Sequence, residues 1–187
     1  IHDARGRVVA FGGRAMSSEV AAKYLNSPET PLFHKGHLLF NHHNARKAAH
    51  DTGQVIVVEG YVDVIAMSLS GFPQPVAPLG TAVTEDQLGL LWRMEDEPVI
   101  CLDGDKAGRK AASRAIDLAL PLLEPGKSLS FALLPDGQDP DDLARTVARL
   151  PLKRAGKPED YAEVIFYLLA GAGYVTGQTI VVDGGGA

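Results

Sequence analysis

The chain contains a single cysteine, Cys101, among its 187 residues. A lone cysteine cannot form a disulfide within the chain, and it excludes a metal cluster built from several cysteines. No apolar run approaches the roughly 18 residues that a membrane-spanning helix needs. The first residues, IHDARGRVV, contain neither the apolar centre of a signal peptide nor an initiator methionine. We therefore expect a globular protein of the reducing cytoplasm, with no membrane partner, whose start resembles an internal segment of a longer protein.

The net charge of -5 conceals an uneven distribution. Up to Val58 the chain has seven Lys and Arg against four Asp and Glu, and all six histidines lie there. From Glu59 to Arg145 it has seven basic against fifteen acidic residues. A basic part beside an acidic part suits a protein that contacts a polyanion with one and binds divalent cations with the other. Charges that vary between solvated faces explain these counts about equally well.

Strand and helix patterns alternate from Gln54 onward. Apolar runs predict four strands, and amphipathic segments between and after them predict helices; the strand segments are QVIVVEG, PVAPLG, PVICLD and SLSFALLP. Thr84 with Gln87 forms a capping box that opens the second helix. This alternation predicts an α/β fold with a parallel four-stranded sheet flanked by helices. Residues 1–50 lack a long period and predict a small mixed α+β segment of short strands and loops.

Carboxylates follow three of the predicted strands. Because ligands bind beyond the carboxyl ends of parallel strands, these side chains should meet at one edge of the sheet. Grouped carboxylates repel one another unless a cation compensates, and oxygen ligands favour Mg²⁺ or Mn²⁺. Two such ions can hold the attacking and leaving oxygens of a phosphoryl displacement. The predicted set is Glu59, Asp103, Asp105, Asp139 and Asp141.

Several of these residues also have simpler explanations. The DGD stretch at 103–105 is ordinary turn chemistry by itself, and its functional interpretation depends on the acids near the other strands. Asp63, one helical turn after Glu59, fits the metal set and fits equally a helix-start acid. The basic residues of the helix after DGD could neutralise phosphates, although a solvated helix face is the more frequent explanation. Solvated surface is also the favoured explanation of HHN at 42–44.

Four stretches, VIVVEGYVDVIAM, APLGTAVTEDQL, VICLDGDKAGRKAA and LLPDGQDPDDLAR, resemble the Toprim domain of bacterial replicative DNA primases of the DnaG type. RGRVVAFGGRAM and KYLNSPETPLFHKGHLLFN resemble the segment that precedes it in the primase catalytic core. The similarity extends from Ile1 to about Arg145. The most specific motif is YLNSPET, which is typical of primases among the Toprim enzymes.

The resemblance implies an enzyme, a primase-type DNA-directed RNA polymerase that makes RNA primers on single-stranded DNA from ribonucleoside triphosphates. It implies catalytic roles for Glu59, Asp103 and Asp105, and a two-metal Mg²⁺ or Mn²⁺ site formed by these three with Asp63, Asp139 and Asp141. Nucleic-acid and nucleotide contacts would come from Arg14, Lys23, Asn26 and Lys35. It also implies a cytoplasmic location at the bacterial nucleoid and replisome, and a replicative helicase as partner. The family's zinc-binding domain, its helicase-binding domain and the earlier part of its catalytic core have no counterpart in this sequence, which puts activity in question.

The tail, LPLKRAGKPEDYAEVIFYLLAGAGYVTGQTIVVDGGGA, resembles the carboxyl end of a short-chain dehydrogenase/reductase. It lacks the family's glycine-rich dinucleotide turn and its Tyr-x-x-x-Lys pair, so no NAD(P) cofactor is expected. The apolar face of its helix needs a partner, and we expect it to dock on the preceding domain or to drive self-association. The predicted divisions are residues 1–52, a basic primase subdomain; 53–147, the Toprim domain; and 148–187, a helix-strand tail.

Three further functions stay open beside primer synthesis. The first is a Toprim module that binds metal, nucleotide or single-stranded DNA without catalysis. The second is a different Toprim chemistry, strand cleavage and rejoining or nuclease action, although a topoisomerase would need a tyrosine nucleophile on a separate domain. The third is an oxidoreductase remnant, which only the tail favours.

Overall fold

The computed structural model describes residues 1–15, 24–80 and 82–140, together with 142, 145, 149 and 162–166. The chain divides into two compact units, Ile1–Asp142 and Leu143–Ala187. In the second unit the structure describes a short helical segment, 162–166, whose Ile165 and Phe166 are exposed. The remainder of the predicted tail lies outside the described residues. None of the helices that the structure describes is long and apolar enough to cross a membrane.

The first unit contains a five-stranded sheet and a two-stranded hairpin. The hairpin pairs β1 (Gly12–Arg14) with β2 (Tyr24–Asn26) in antiparallel fashion. The sheet has the order β3-β5-β4-β6-β7. Its strands are β3 (Leu39–Phe40), β4 (Ile56–Val57), β5 (Pro75–Pro78), β6 (Val99–Leu102) and β7 (Ser130–Leu133).

The four predicted strands are confirmed as the parallel part of this sheet. β4 pairs in parallel with β5 on one side and with β6 on the other, and β6 pairs in parallel with β7. The fifth strand, β3, lies in the segment for which short strands were predicted without positions; it runs antiparallel to β5, with Leu39 opposite Pro78 and Phe40 opposite Ala77. Two residues are too few to show an alternating pattern, which explains why this strand could not be located from the sequence.

Four α-helices accompany the sheet: α1 (His42–Thr52), α2 (Tyr61–Leu69), α3 (Glu85–Met94) and α4 (Lys106–Ala119). The last three agree with the predicted helices, and a 3-10 turn, Leu120–Leu122, follows α4. The main hydrophobic core contains strand and helix side chains such as Val57, Val76, Leu91 and Ile100. Burying each of these side chains contributes about 1.5–3 kcal/mol of gross hydrophobic free energy. Of the helix predicted after β7, the structure describes Asp139, which is not helical, and Pro140, Asp142, Arg145 and Arg149, which are helical.

Helix α1 contradicts the expectation of strands and loops in the first 50 residues. Only Ala45 and Ala49, spaced four apart, join the core through this helix, and small alanines give a weak hydrophobic period. Gly53 ends the helix with φ +64°, where its N–H donates to Ala49 O. The expectation of solvated surface for HHN is wrong for His42, which is only 7% exposed, and correct for His43, which is exposed.

Candidate active site

Three neighbouring strands deliver the predicted acids to one edge of the sheet. β4, β6 and β7 are parallel and adjacent, so their carboxyl ends lie side by side, about 4.8 Å from strand to strand. Glu59 follows β4 by two residues, Asp103 comes directly after β6, and Asp139 lies in the loop after β7. Asp103 therefore occupies the middle position of the three.

The surroundings of Asp103 raise its pKa. Burial, followed by repulsion from Glu59, Asp63, Asp139 and Asp105 in that order, raises the pKa of Asp103 to about 6. Its Oδ1 atom is buried and has no hydrogen-bond partner within the described part of the chain. A buried carboxylate oxygen without a partner is costly, and a bound cation would offset that cost. Asp103 is thus the centre of the acidic cluster.

Other members of the cluster also cap helices. Asp105 is the N-cap of α4 and accepts the Gly108 N–H at 2.7 Å. Asp63 accepts the Gly60 N–H at 3.0 Å at the start of α2, and Asp139 accepts the Asp142 N–H at 2.8 Å. Helix N-termini carry partial positive charge, which reduces the repulsion among carboxylates gathered beside them. The caps also fix the direction of each carboxylate.

Gly104 brings two loops of the site into contact. A Cβ atom at this position would lie 1.9 Å from the carbonyl oxygen of Pro135, so only glycine fits. The Gly104 N–H donates to Gln138 O at 2.9 Å, which joins the loop after β6 to the loop after β7. This close approach places Asp103 beside the segment that carries Asp139.

Arg109 strengthens the same junction. Its guanidinium donates to Gly104 O at 3.1 Å and forms an ion pair with Asp136 at 2.7 Å. Arg109, one of the basic residues that follow DGD, thus joins the loop after β6 to the loop after β7. Lys106 and Lys110 are exposed on the same helix.

The predicted nucleic-acid residue Asn26 holds the hairpin against the sheet. Its Nδ2 donates to Leu79 O at 2.9 Å, just beyond the carboxyl end of β5, and its Oδ1 accepts a hydrogen bond from the hydroxyl of Tyr61. The Tyr61 ring contacts Phe40, with ring centroids 4.8 Å apart. Tyr61, which follows Glu59 by two residues, was not among the residues predicted from the sequence. Arg14 ends β1 in the same hairpin, and Lys23 lies outside the described residues.

Lys35 lies in a 3-10 turn, Lys35–His37, directly before β3. Because β3 is antiparallel to β5, its first residue meets the carboxyl end of β5, and the turn reaches the same edge as the acids. The Lys35 N–H donates to Glu29 Oε1 at 3.2 Å, while the Lys35 side chain is exposed. Two strand spacings, about 10 Å, separate β3 from β4.

The donor set fits a hard divalent cation, although the side chains are not closed around one. Among the described residues no group of three or more His, Cys, Asp or Glu is arranged to hold a metal ion. Asp141 lies outside those residues. The unpartnered Asp103 Oδ1 and the all-oxygen chemistry of the set support the fit.

Sequence profiles of known families match three parts of the chain. The DNA primase catalytic core, N-terminal domain, matches residues 1–46, and the Toprim domain matches residues 53–132. A profile described as enoyl-(acyl carrier protein) reductase matches residues 133–186, whereas the predicted tail resemblance begins near residue 146.

Individual proteins give the same result for the first two parts. The DNA primase of Pseudomonas aeruginosa is 50% identical over 145 residues, which cover 78% of this chain and 22% of that protein. The crystal structure of a DNA primase domain from Pseudomonas aeruginosa has a TM-score of 0.74 at 43% identity and covers 92% of this chain and 55% of that one. The structure of the DnaG primase catalytic domain bound to ssDNA has a TM-score of 0.70 at 47% identity, with coverages of 78% and 46%.

The chain spans about a fifth of the length of the curated relative it matches. The solved structures also confirm the predicted fold class, an α/β sheet flanked by helices. Residues 53–132 therefore resemble a Toprim domain, and the chain from residue 1 to about residue 145 resembles the part of the bacterial DNA primase catalytic core that contains it.

Proposed function

We propose that the chain carries part of the active site of a primase-type nucleotidyltransferase, which makes RNA primers on single-stranded DNA from ribonucleoside triphosphates. The observation that carries the proposal is the environment of Asp103, a half-buried carboxylate whose pKa is raised to about 6 by burial and by four other acids. Such a cluster is costly by itself and suits a site that neutralises its charge with divalent cations.

The proposed catalytic residues are Glu59, Asp103 and Asp105, and the proposed metal ligands are these three with Asp63, Asp139 and Asp141. Divalent metal use is what the Toprim family implies, and Mg²⁺ or Mn²⁺ would supply charge for the triphosphate and for the attacking oxygen. The exposed Glu59 would accept the proton of the attacking 3'-hydroxyl. Asp103 and Asp105, two residues apart in one short loop, would orient the phosphate groups through the bound cations.

The basic side of the same edge would hold the nucleic acid. Arg14, Lys23 and Lys35 would contact backbone phosphates, which fixes a strand in place without reading its sequence. Asn26 would act by holding the hairpin against Leu79 and Tyr61. The similar DnaG catalytic domain solved with ssDNA supports DNA as the template partner. This role implies a cytoplasmic location at the nucleoid, with the replicative helicase as a partner of the complete protein.

The second candidate is a module that binds metal and single-stranded DNA without polymerising. The observation that favours it is the coverage of the relatives, because the chain spans 22% of the primase it matches. We also propose that the chain divides into three domains, with boundaries at residues 52/53 and 147/148.

Primer synthesis on a single-stranded template with labelled ribonucleotides and Mn²⁺ separates these functions. We expect the 187-residue chain to make primer product. Asp103→Asn should make at least about 100-fold less product, by analogy with other residues that stabilise charge in a transition state. Asp117→Asn should keep full activity. Asp117 makes a matched control because it is exposed on α4 and loses the same charge. Mn²⁺ binding without product would support the second candidate. Nicking of the template would indicate other Toprim chemistry, and saturable NADPH binding would revive the oxidoreductase.

A further inference from the structure

The turn that carries Lys35 is held by two side chains at the start of α3. The Gln87 Nε2 donates to Lys35 O and to Leu38 O, both at 2.9 Å. The Thr84 hydroxyl donates to Gly36 O at 2.5 Å. Three of the four carbonyl groups from Lys35 to Leu38 are therefore bound by one pair of residues, 48 to 52 positions away in the chain.

The same two residues fix each other. The Gln87 N–H donates to the Thr84 hydroxyl at 3.2 Å, and the Thr84 N–H donates to Gln87 Oε1 at 3.0 Å. Gln87 is fully buried, so water cannot replace the bonds that its amide makes to the turn. A buried glutamine costs free energy unless its polar atoms are satisfied, and here both the oxygen and the nitrogen are.

Other contacts of the turn are weaker. Glu29 accepts the Lys35 N–H at 3.2 Å, and His37 lies 3.4 Å from Asp86 in an exposed pair. Exposed pairs contribute little. The rigidity of the turn therefore depends mainly on Thr84 and Gln87, while the Lys35 side chain is free to face solvent at the edge of the sheet.

We infer that Thr84 and Gln87 are positioning residues that hold the Lys35 ammonium where it binds a backbone phosphate of single-stranded DNA. The inference rests on the proposed function and adds two residues to it that do not themselves contact the strand. A lysine on a fixed turn loses less conformational freedom on binding than one on a mobile turn. Loss of the clamp should therefore weaken DNA binding through Lys35 alone.

The test is a double-mutant cycle on binding of a fluorescein-labelled oligothymidylate to the 187-residue chain. We expect Gln87→Met to weaken binding about threefold or more, and Lys35→Ala to weaken binding far less in that background than in the wild type. Losses that multiply independently would overturn the inference. Leu91→Val, at a buried position of the same helix, is the control for general destabilisation and should leave the effect of Lys35→Ala unchanged. Thr84→Val replaces Gln87→Met if the latter fails to fold.

Salt dependence separates failure of the inference from failure of the function. Each phosphate contact to a single strand contributes about 0.7 to the slope of log affinity against log salt concentration. We expect Lys35→Ala to reduce that slope by about this amount. An unchanged slope would overturn both the phosphate contact of Lys35 and the inference. A reduced slope with no coupling to Gln87 would overturn only the inference and leave the proposed DNA contact in place.

Discussion

Asp103 is the carboxylate at the centre of the site, because it lies between acids that follow the two flanking strands, β4 and β7. Its folded-state pKa of about 6 exceeds the ordinary value of 3.8, so the folded protein holds this proton more tightly than the unfolded chain does. Ionised Asp103 therefore lowers the free energy of unfolding. This loss is absent below pH 3.8, grows as the pH rises from 3.8 to about 6, and is complete above pH 6. Metal binding in this upper range would remove it.

Asp103→Asn should therefore stabilise the metal-free protein, and the gain should grow as the pH rises from about 4 to above 6. Thermal melts on either side of this window measure the gain. Mn²⁺ should raise the melting temperature of the wild type above pH 6 and have little effect on Asp103→Asn. The same gain in Asp117→Asn would show that net charge, and not the cluster, is responsible.

His42 gives a pH effect of the opposite sign. Burial, followed by the charges of Arg46, Arg93 and His43, lowers the pKa of His42 below its ordinary value of 6.5. The unfolded chain then binds this proton more readily, so the contribution of His42 to stability is present above pH 6.5 and is lost as the pH falls through its folded-state pKa. Its buried Nδ1 also has no hydrogen-bond partner among the described residues.

We expect His42→Leu to reduce the loss of stability below pH 6.5 and to gain about 1 kcal/mol at neutral pH, because an unpaired polar atom leaves the interior. Urea unfolding at several pH values measures both effects. His50→Gln, at an exposed position of the same helix, should keep the acid sensitivity of the wild type. Identical pH profiles for His42→Leu and the wild type would exclude His42 as its source.

At the scale of elements, the site is made by loops that follow β4, β6 and β7 and lead into helices. The short DGD loop can pack closely against its neighbours because Gly104 contacts the carbonyl group of Pro135 and Gly108 contacts the carbonyl group of Asp103. Each of the two contacts excludes any side chain. The acids therefore meet only while these two glycines allow the loops and α4 to pack.

Gly104→Ala should destabilise the protein by about 3 kcal/mol or more, because the new Cβ atom would lie 1.9 Å from a backbone oxygen. It should also abolish the stabilisation by Mn²⁺. Gly89→Ala is the matched control: it lies within α3 with nothing within 4 Å of its Cβ position, and it should stabilise by about 0.5–1 kcal/mol. Chemical denaturation with and without Mn²⁺ compares the two. A Gly104→Ala protein with wild-type metal response would refute the role of this contact.

At the scale of the molecule, the described core residues belong to the first unit. Two hydrophobic clusters of the described residues contain side chains between Ile1 and Phe131. The second unit, Leu143–Ala187, is compact by itself. The first unit therefore carries the packing that holds the acids and the basic turn at one edge.

We expect a shortened chain of residues 1–149 to unfold cooperatively, with a melting temperature within about 3 °C of the full chain, and to keep its Mn²⁺ response. Calorimetry tests this. Light scattering on both chains also tests the predicted role of the tail helix, since self-association through it should disappear on truncation. A shortened chain that fails to fold would show that the tail completes the first unit instead.

The sequence by itself determined the elements with a strong local signal. The four parallel strands, α2, α3 and α4 follow from apolar periods and caps such as Thr84 with Gln87. The placement of the acids at one edge of the sheet was also predicted, because parallel strands direct their carboxyl ends to one edge. The primase resemblance depended on motifs that are contiguous in the chain.

Only the tertiary structure decided the rest. β3 depends on a partner distant in sequence, because Leu39 pairs with Pro78. α1 depends on the core against which Ala45 and Ala49 pack. No local sequence pattern predicts either element. The contact of Gly104 with Pro135 and the clamp of Gln87 on the Lys35 turn join residues 31 and 52 positions apart, and the burial of His42 arises from packing between elements. Periodicity reports one face of one element, whereas these contacts arise where several elements meet.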